Sequence, residues 1–256
     1  MGVPTVLLLH GQPGSAHDWD GVRRAIGGRA RAIAPDRPGW NGHGAPRDLA
    51  GNADFALSVL DAHGIDRAVV AGHSLGGAIA AWLAAEHPDR VTALVLAAPS
   101  ANCASLNRLD QLLAAPVVGP LLAAGAFATA GAVLSVRSLR RRIAAEAALD
   151  EGYLRAAGRV LLVPSSWVAF NAEQRWLLRE LPALELRLGS ISSPTTIVSG
   201  SADRIVTPSS ARRLAAQIGG AEVVQLFGAM HLLPQQRPGE LAEIILRAAG
   251  SAGASG

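Results

Sequence analysis

The chain has 256 residues, half of them hydrophobic, and a formal charge of only +3 built from 23 basic residues that are all arginine. That is enough apolar material for one large core in a single domain. The arginines are scattered and aromatics are few, so the basic, stacking-residue surface that nucleic-acid binding needs is absent, and the sole cysteine, Cys103, excludes an intrachain disulfide.

The start, Met1-Gly2-Val3-Pro4, has neither a basic region nor a small-residue cleavage site, so no secretion signal is expected and the protein is placed in the cytoplasm. Thr5–His10 is a short apolar run ending in Gly11-Gln12-Pro13-Gly14, which predicts a buried strand and a turn. A helix fits Ala16–Ile26, a second strand Arg31–Ala34, and a Pro/Gly-rich loop follows. Asp48–His63 has helical spacing. Ala68–Ala71 reads as a strand, Gly76–Glu86 as a helix and Thr92–Ala97 as a strand. This alternation predicts a mostly parallel, doubly wound sheet covered on both faces.

The rhythm breaks between about Ser100 and Gly189, where Leu- and Ala-rich helical segments follow one another. It resumes with a strand at Thr195–Ser199, a helix at Ser209–Ile218, a strand at Glu222–Phe227 and a helix at Gly239–Ala249. The expected organisation is therefore a first core segment at 1–99, a helical cap at 100–189, a second core segment at 190–250 and a flexible tail at 251–256. A cap inserted there would cover the end of the sheet where ligands bind. Leu112–Val136 carries no charge and is long enough to span a bilayer. Pro116, Gly119, Pro120, Gly125 and Gly131 interrupt it, so two or three short buried helices are expected instead of a membrane span.

Gly72-His73-Ser74-Leu75-Gly76 has the pattern Gly-x-Ser-x-Gly and lies between a strand and a helix. The turn there is so tight that the positions two either side of the serine, Gly72 and Gly76, must lack bulk, which lifts the hydroxyl above the sheet. Alone, the pattern could be a Gly-rich turn with an idle serine. A serine nucleophile needs a histidine to take its proton and an acid to orient that histidine. Asp203 follows the strand Thr195–Ser199 and His231 follows Glu222–Phe227, in the chain order and loop positions this chemistry requires. Singly, Asp203 reads as a turn residue and His231 as a loop histidine; the coincidence of all three makes Ser74, His231 and Asp203 a candidate triad. Asp36, at the end of an earlier strand, is expected to be structural. Backbone N–H groups of Leu75 and Gln12 are the candidate oxyanion donors, with Gly11 permitting close approach.

These pieces, with Ala34-Pro35-Asp36-Arg37-Pro38-Gly39-Trp40 and Gly228-Ala229-Met230-His231, resemble the α/β-hydrolase superfamily, in particular small bacterial serine esterases, cofactor-free haloperoxidases and carbon–carbon bond hydrolases. The resemblance implies an α/β-hydrolase fold with a helical lid, a Ser-His-Asp triad and no cofactor. Three departures stand out. Met1 lies almost on the strand that ends in His-Gly, so the N-terminal strands look shortened. Met230 replaces a glycine common before the histidine, and Asn41-Gly42-His43-Gly44 replaces a commoner Gly-x-Ser segment.

No Gly-x-Gly-x-x-Gly follows a strand, and without lysine no P-loop can exist, while the histidines lack zinc-ligand spacing. Three readings stay open. The first is hydrolysis of an ester, thioester or lactone of a hydrophobic small molecule. The second uses the same triad for carbon–carbon cleavage, perhydrolysis, cyclisation or acyl transfer. The third is a non-catalytic small-molecule-binding protein on the same scaffold. A monomer or a homodimer is expected. Trp167 and Phe170 of the apolar cap, with His73 beside Ser74 and Met230 beside His231, are the candidate pocket residues, and Arg137–Arg142 is expected to be a solvated face.

Overall fold

The structure is a computed structural model that describes residues 3–253. The residues on which a leaderless start was read, Met1 and Gly2, and residues 254–256 of the expected tail lie outside the described residues. The core elements in chain order are β1 (Thr5–Leu9), α1 (Asp20–Ile26), β2 (Arg31–Ile33), α2 (Leu49–Ala62), β3 (Ala68–His73), α3 (Leu75–Glu86) and β4 (Val91–Ala97). Among the described residues, five α-helices follow before the next strand: α4 (Arg108–Ala114), α5 (Val118–Ser135), α6 (Arg137–Ala147), α7 (Glu151–Leu162) and α8 (Pro164–Glu185). The core resumes with β5 (Thr195–Gly200), α9 (Pro208–Gln217), β6 (Glu222–Leu226), α10 (Leu233–Gln236) and α11 (Pro238–Gly253). The expected Ala16–Ile26 helix begins as a 3-10 turn at Ala16–Trp19, and α11 runs into the segment expected to be a flexible tail.

All strand pairings are parallel, in the order β2-β1-β3-β4-β5-β6. Parallel strands buried on both faces need side chains that are apolar in both directions, and β1 supplies them: Leu7 and Leu9 enter one layer, Val6 and Leu8 the other. The first layer packs α2, α3 and α9 through residues such as Leu60, Ile79, Leu83 and Leu214. The second packs α1 and α11 through Trp19, Ile26, Leu241 and Ile245. Local signals fix where helices start. Asp48 caps α2 by accepting from Gly51 N–H at 2.9 Å, and Asn107 with Asp110 forms a reciprocal cap on α4, each such cap contributing about 1 kcal/mol.

The helices between β4 and β5 have their own small core of Ala123, Phe127, Val160, Leu161, Ala169 and Phe170, joined by Trp40 from the loop after β2. The last of them is shared: Leu177, Leu181 and Leu184 of α8 belong to the main sheet-covering layer. The expectation of two or three short buried helices in Leu112–Val136 is corrected: the stretch holds the end of α4 and then one 18-residue helix, α5. Pro120 lies in its first turn, where a backbone N–H has no helical partner to lose. Gly131 permits close contact with α7, since a Cβ there would lie 2.7 Å from Leu162. The helix is also far from buried, with Leu121 70% exposed. By length and composition it could cross a membrane, and here it packs against α7 and α8. The arginine run is corrected in part. Arg140 is buried, donates to the Leu134 carbonyl at 2.8 Å and pairs with Glu151 at 3.2 Å.

Candidate active site

Ser74 sits between β3 and α3 with φ +53° and ψ −118°, a backbone conformation that few non-glycine residues adopt. The turn is possible because its flanks are bare. A Cβ on Gly72 would lie 2.1 Å from the Gly76 carbonyl oxygen, and one on Gly76 would lie 2.2 Å from that of Leu9. The first would collide with the backbone of α3 and the second with that of β1. The strain is held by the Ser74 N–H bond to Ala97 O at 3.0 Å and by Ser100 N–H donating to Ser74 O at 3.0 Å.

The three residues selected from the sequence meet at this turn. Ser74 Oγ lies 3.0 Å from His231 Nε2, and His231 Nδ1 lies 2.9 Å from Asp203 Oδ2. The other Asp203 oxygen accepts from the N–H groups of Ile205 at 2.8 Å and Val206 at 3.0 Å, so a fully buried carboxyl has every role assigned. With Asp203 acting only as acceptor, His231 carries its proton on Nδ1 and offers the Nε2 lone pair to the serine hydroxyl. His73, the residue before the serine, donates from Nε2 to the His231 carbonyl at 2.9 Å. Burial and the neighbouring His231 push its pKa down to about 3, so this ring is neutral.

An apolar cavity of about 260 Å³ opens beside His231, His73 and the Gly11–Gln12 loop. Leu154, Ala157, Val160 and Leu161 of α7, Leu134 of α5, and Ile205 and Leu232 of the core line it. Asp18 and Tyr153 add polar groups to its wall. Burial raises the Asp18 carboxyl to about 8, so it is predominantly uncharged at neutral pH. Both also border a separate outer cleft of about 350 Å³ that does not reach the triad.

Of the expected pocket residues, only His73 borders this cavity. Phe170 packs edge-on against Phe127 at 5.0 Å, Trp167 donates to the Leu161 carbonyl at 2.6 Å, and Met230 is 47% exposed. The lining residues on α7 that the sequence does not single out, Leu154, Ala157, Val160 and Leu161, are small or aliphatic and lie at helical spacing. Asp36 is structural: its Oδ1 accepts from Ala16 N–H at 2.7 Å and caps the turn before α1. Among the described residues, no three His, Cys, Asp or Glu side chains gather as metal ligands do.

A parallel sheet carrying a serine at a strained strand-to-helix turn, in hydrogen-bond sequence with a histidine and an aspartate from later loops, defines a hydrolase. Residues 4–238 match the alpha/beta hydrolase fold family, and the chain belongs to it. It is 30% identical over 241 residues to a pimeloyl-[acyl-carrier protein] methyl ester esterase of Neisseria meningitidis serogroup B, covering 90% of this chain and 86% of that one. Another likeness is partial: 120 residues are 33% identical to an uncharacterized protein of Mycobacterium bovis, and that stretch spans 34% of the relative's length. Among solved structures, a hydrolase from Pseudomonas aeruginosa PA01 superposes with a TM-score of 0.73 at 25% identity, over 96% of this chain and 90% of that one.

Proposed function

We propose that this enzyme cleaves carboxylic esters, thioesters or lactones whose acyl or alkyl part is apolar, using Ser74 as nucleophile. The observation that carries the reading is the unbroken hydrogen-bond sequence Asp203–His231–Ser74 beside an apolar cavity. His231 Nε2 takes the Ser74 proton as Oγ attacks the carbonyl carbon. The carbonyl oxygen becomes an oxyanion facing the N–H groups of Leu75 and Gln12, and collapse expels the alcohol or thiol, which receives the proton from His231. Water then repeats the sequence on the acyl-enzyme and frees the acid. The similarity to a methyl ester esterase supports ester chemistry.

The test is a series of p-nitrophenyl esters from acetyl to octanoyl, run on the enzyme and on Ser74→Ala. Each buried methylene contributes up to ~0.8 kcal/mol, so kcat/KM rises with chain length until the cavity fills. Equal hydrolysis by Ser74→Ala overturns the reading. A steady fall in efficiency from acetyl to octanoyl overturns the apolar-substrate part alone.

A further inference from the structure

The densest polar cluster away from the triad lies beneath the loop after β1. Arg37 is fully buried, and its guanidinium donates to the carbonyls of His10 and Gly11, each at 3.0 Å, and to Asn52 Oδ1 at 3.3 Å. It also pairs with the buried carboxylate of Glu173 on α8, whose Oε2 lies 3.2 Å from Nη2. That same oxygen accepts from Trp40 Nε1 at 3.1 Å. A buried ion pair is costly to desolvate and does little for stability by itself, so what it holds in place matters more than its strength.

The Gly11 carbonyl belongs to the same peptide unit as the Gln12 N–H. That unit is planar and its two dipolar groups point in opposite directions, so whatever fixes the carbonyl also aims the N–H. A second donor reaches the same oxygen. Arg37 N–H donates to His10 Nε2 at 3.0 Å, which leaves the His10 proton on Nδ1, 2.8 Å from Gly11 O. Two donors on one carbonyl polarise the peptide and strengthen the N–H at its other end. The cap holds the loop at the next residue too: Gln12 Nε2 donates to Gln174 Oε1 at 2.8 Å, and Gln174 Nε2 donates to Asp110 Oδ1 at 3.0 Å.

We propose that Arg37, anchored by Glu173 of the cap, is a positioning residue for oxyanion stabilisation: it fixes and polarises the Gly11–Gln12 peptide so that the Gln12 N–H faces the oxyanion formed at Ser74. This rests on the serine-hydrolase reading above. It makes two adjacent cap residues, Glu173 and Gln174, part of the support for transition-state binding, and it ties the seating of α8 to catalysis.

Arg37→Lys keeps the charge but cannot span both carbonyls with a planar fork. Glu173→Gln keeps the shape and removes the anchoring charge. Each variant is assayed on a p-nitrophenyl ester and for inhibition by an alkyl trifluoromethyl ketone, whose hemiketal oxygen occupies the oxyanion position. The expected result is a fall in kcat of about 10²-fold for Arg37→Lys, the effect of losing one oxyanion donor, with KM nearly unchanged and ketone affinity falling in parallel. Glu173→Gln shows the same pattern to a smaller degree. Unchanged kcat, or a loss confined to KM with ketone affinity intact, overturns the proposal. If neither variant folds, the unaltered ¹⁵N-labelled protein decides: the Gln12 amide proton must move downfield when the ketone binds, and an unmoved resonance overturns the proposal. Full activity in Ser74→Ala overturns the parent reading and this one together. An inactive Ser74→Ala beside a normal Arg37→Lys removes only this one.

Discussion

His73 Nε2 lies 2.9 Å from the backbone carbonyl of His231, so the residue before the proposed nucleophile holds the backbone of the proposed general base. Losing one such bond, worth about 1 kcal/mol net, should lower kcat by roughly five- to tenfold. His73→Phe, which keeps the bulk and removes the donor, is the variant to test.

The same substitution has a signature in stability. The His73 pKa is depressed from 6.5 to about 3 in the folded chain. Below pH 6.5 the unfolded chain therefore binds a proton that the folded chain refuses, and stability is lost as pH falls towards 3. Denaturant unfolding at pH 7 and pH 4.5 should show a smaller acid loss in His73→Phe than in the unaltered enzyme. Equal losses would mean that the ring is not held neutral by its burial.

Asp203 keeps two backbone donors on Oδ1 and spends Oδ2 on His231. Asp203→Asn preserves the shape of the loop but can present an N–H where the histidine needs an acceptor, favouring the wrong tautomer. A loss in kcat of about 10⁴-fold is expected from the same change in a serine triad, with circular dichroism unchanged. Activity close to that of the unaltered enzyme would remove Asp203 from the triad.

Asp18 titrates in the opposite sense to His73. Its pKa is raised from 3.8 to about 8 by burial, so between those values the unfolded chain is ionised while the folded chain keeps its proton. Stability contributed by the neutral carboxyl is present at acid pH and is lost as pH rises towards 8. Asp18→Asn, which stays neutral, should have a melting temperature that gains on that of the unaltered enzyme as pH goes from 5 to 9. A constant difference across that range would contradict the shift.

Ala157 lines the apolar cavity from α7. Ala157→Phe fills space that a long acyl chain would use while leaving room near Ser74 for a short one. Expected is a drop of tenfold or more in kcat/KM for octanoyl esters, on the order of one or two lost methylene contacts, with acetyl esters within about twofold. An equal effect on both would place the acyl chain elsewhere.

The parallel core is legible, and Ser74, Asp203 and His231 stand out as a candidate triad, because each rests on local signals: a short apolar run, a Gly-x-Ser-x-Gly turn, an Asp or His just after a strand. Asp36 was legible as structural for the same reason, from its place at the end of an early strand. The cavity was not. Trp167 and Phe170 stand out by size and Met230 by its place before His231, but size is also what the helices between β4 and β5 use to build their own core, where Phe170 meets Phe127. The Arg37–Glu173 pair was equally hidden, since its partners lie 136 residues apart and nothing in either local sequence names the other. Helix α5 misled because glycine and proline can break a helix, whereas here Pro120 occupies a first turn and Gly131 a close helix contact.

The claim on which everything else depends is that Ser74 is the nucleophile, activated by the His231 Nε2 that lies 3.0 Å from its hydroxyl. Reaction of the enzyme with an alkyl fluorophosphonate, followed by intact-mass measurement and peptide mapping, tests it most directly. One covalent adduct is expected, on the peptide carrying Ser74, with loss of esterase activity in step with labelling and no adduct in Ser74→Ala. An adduct on another residue, or full labelling with activity retained, would contradict it.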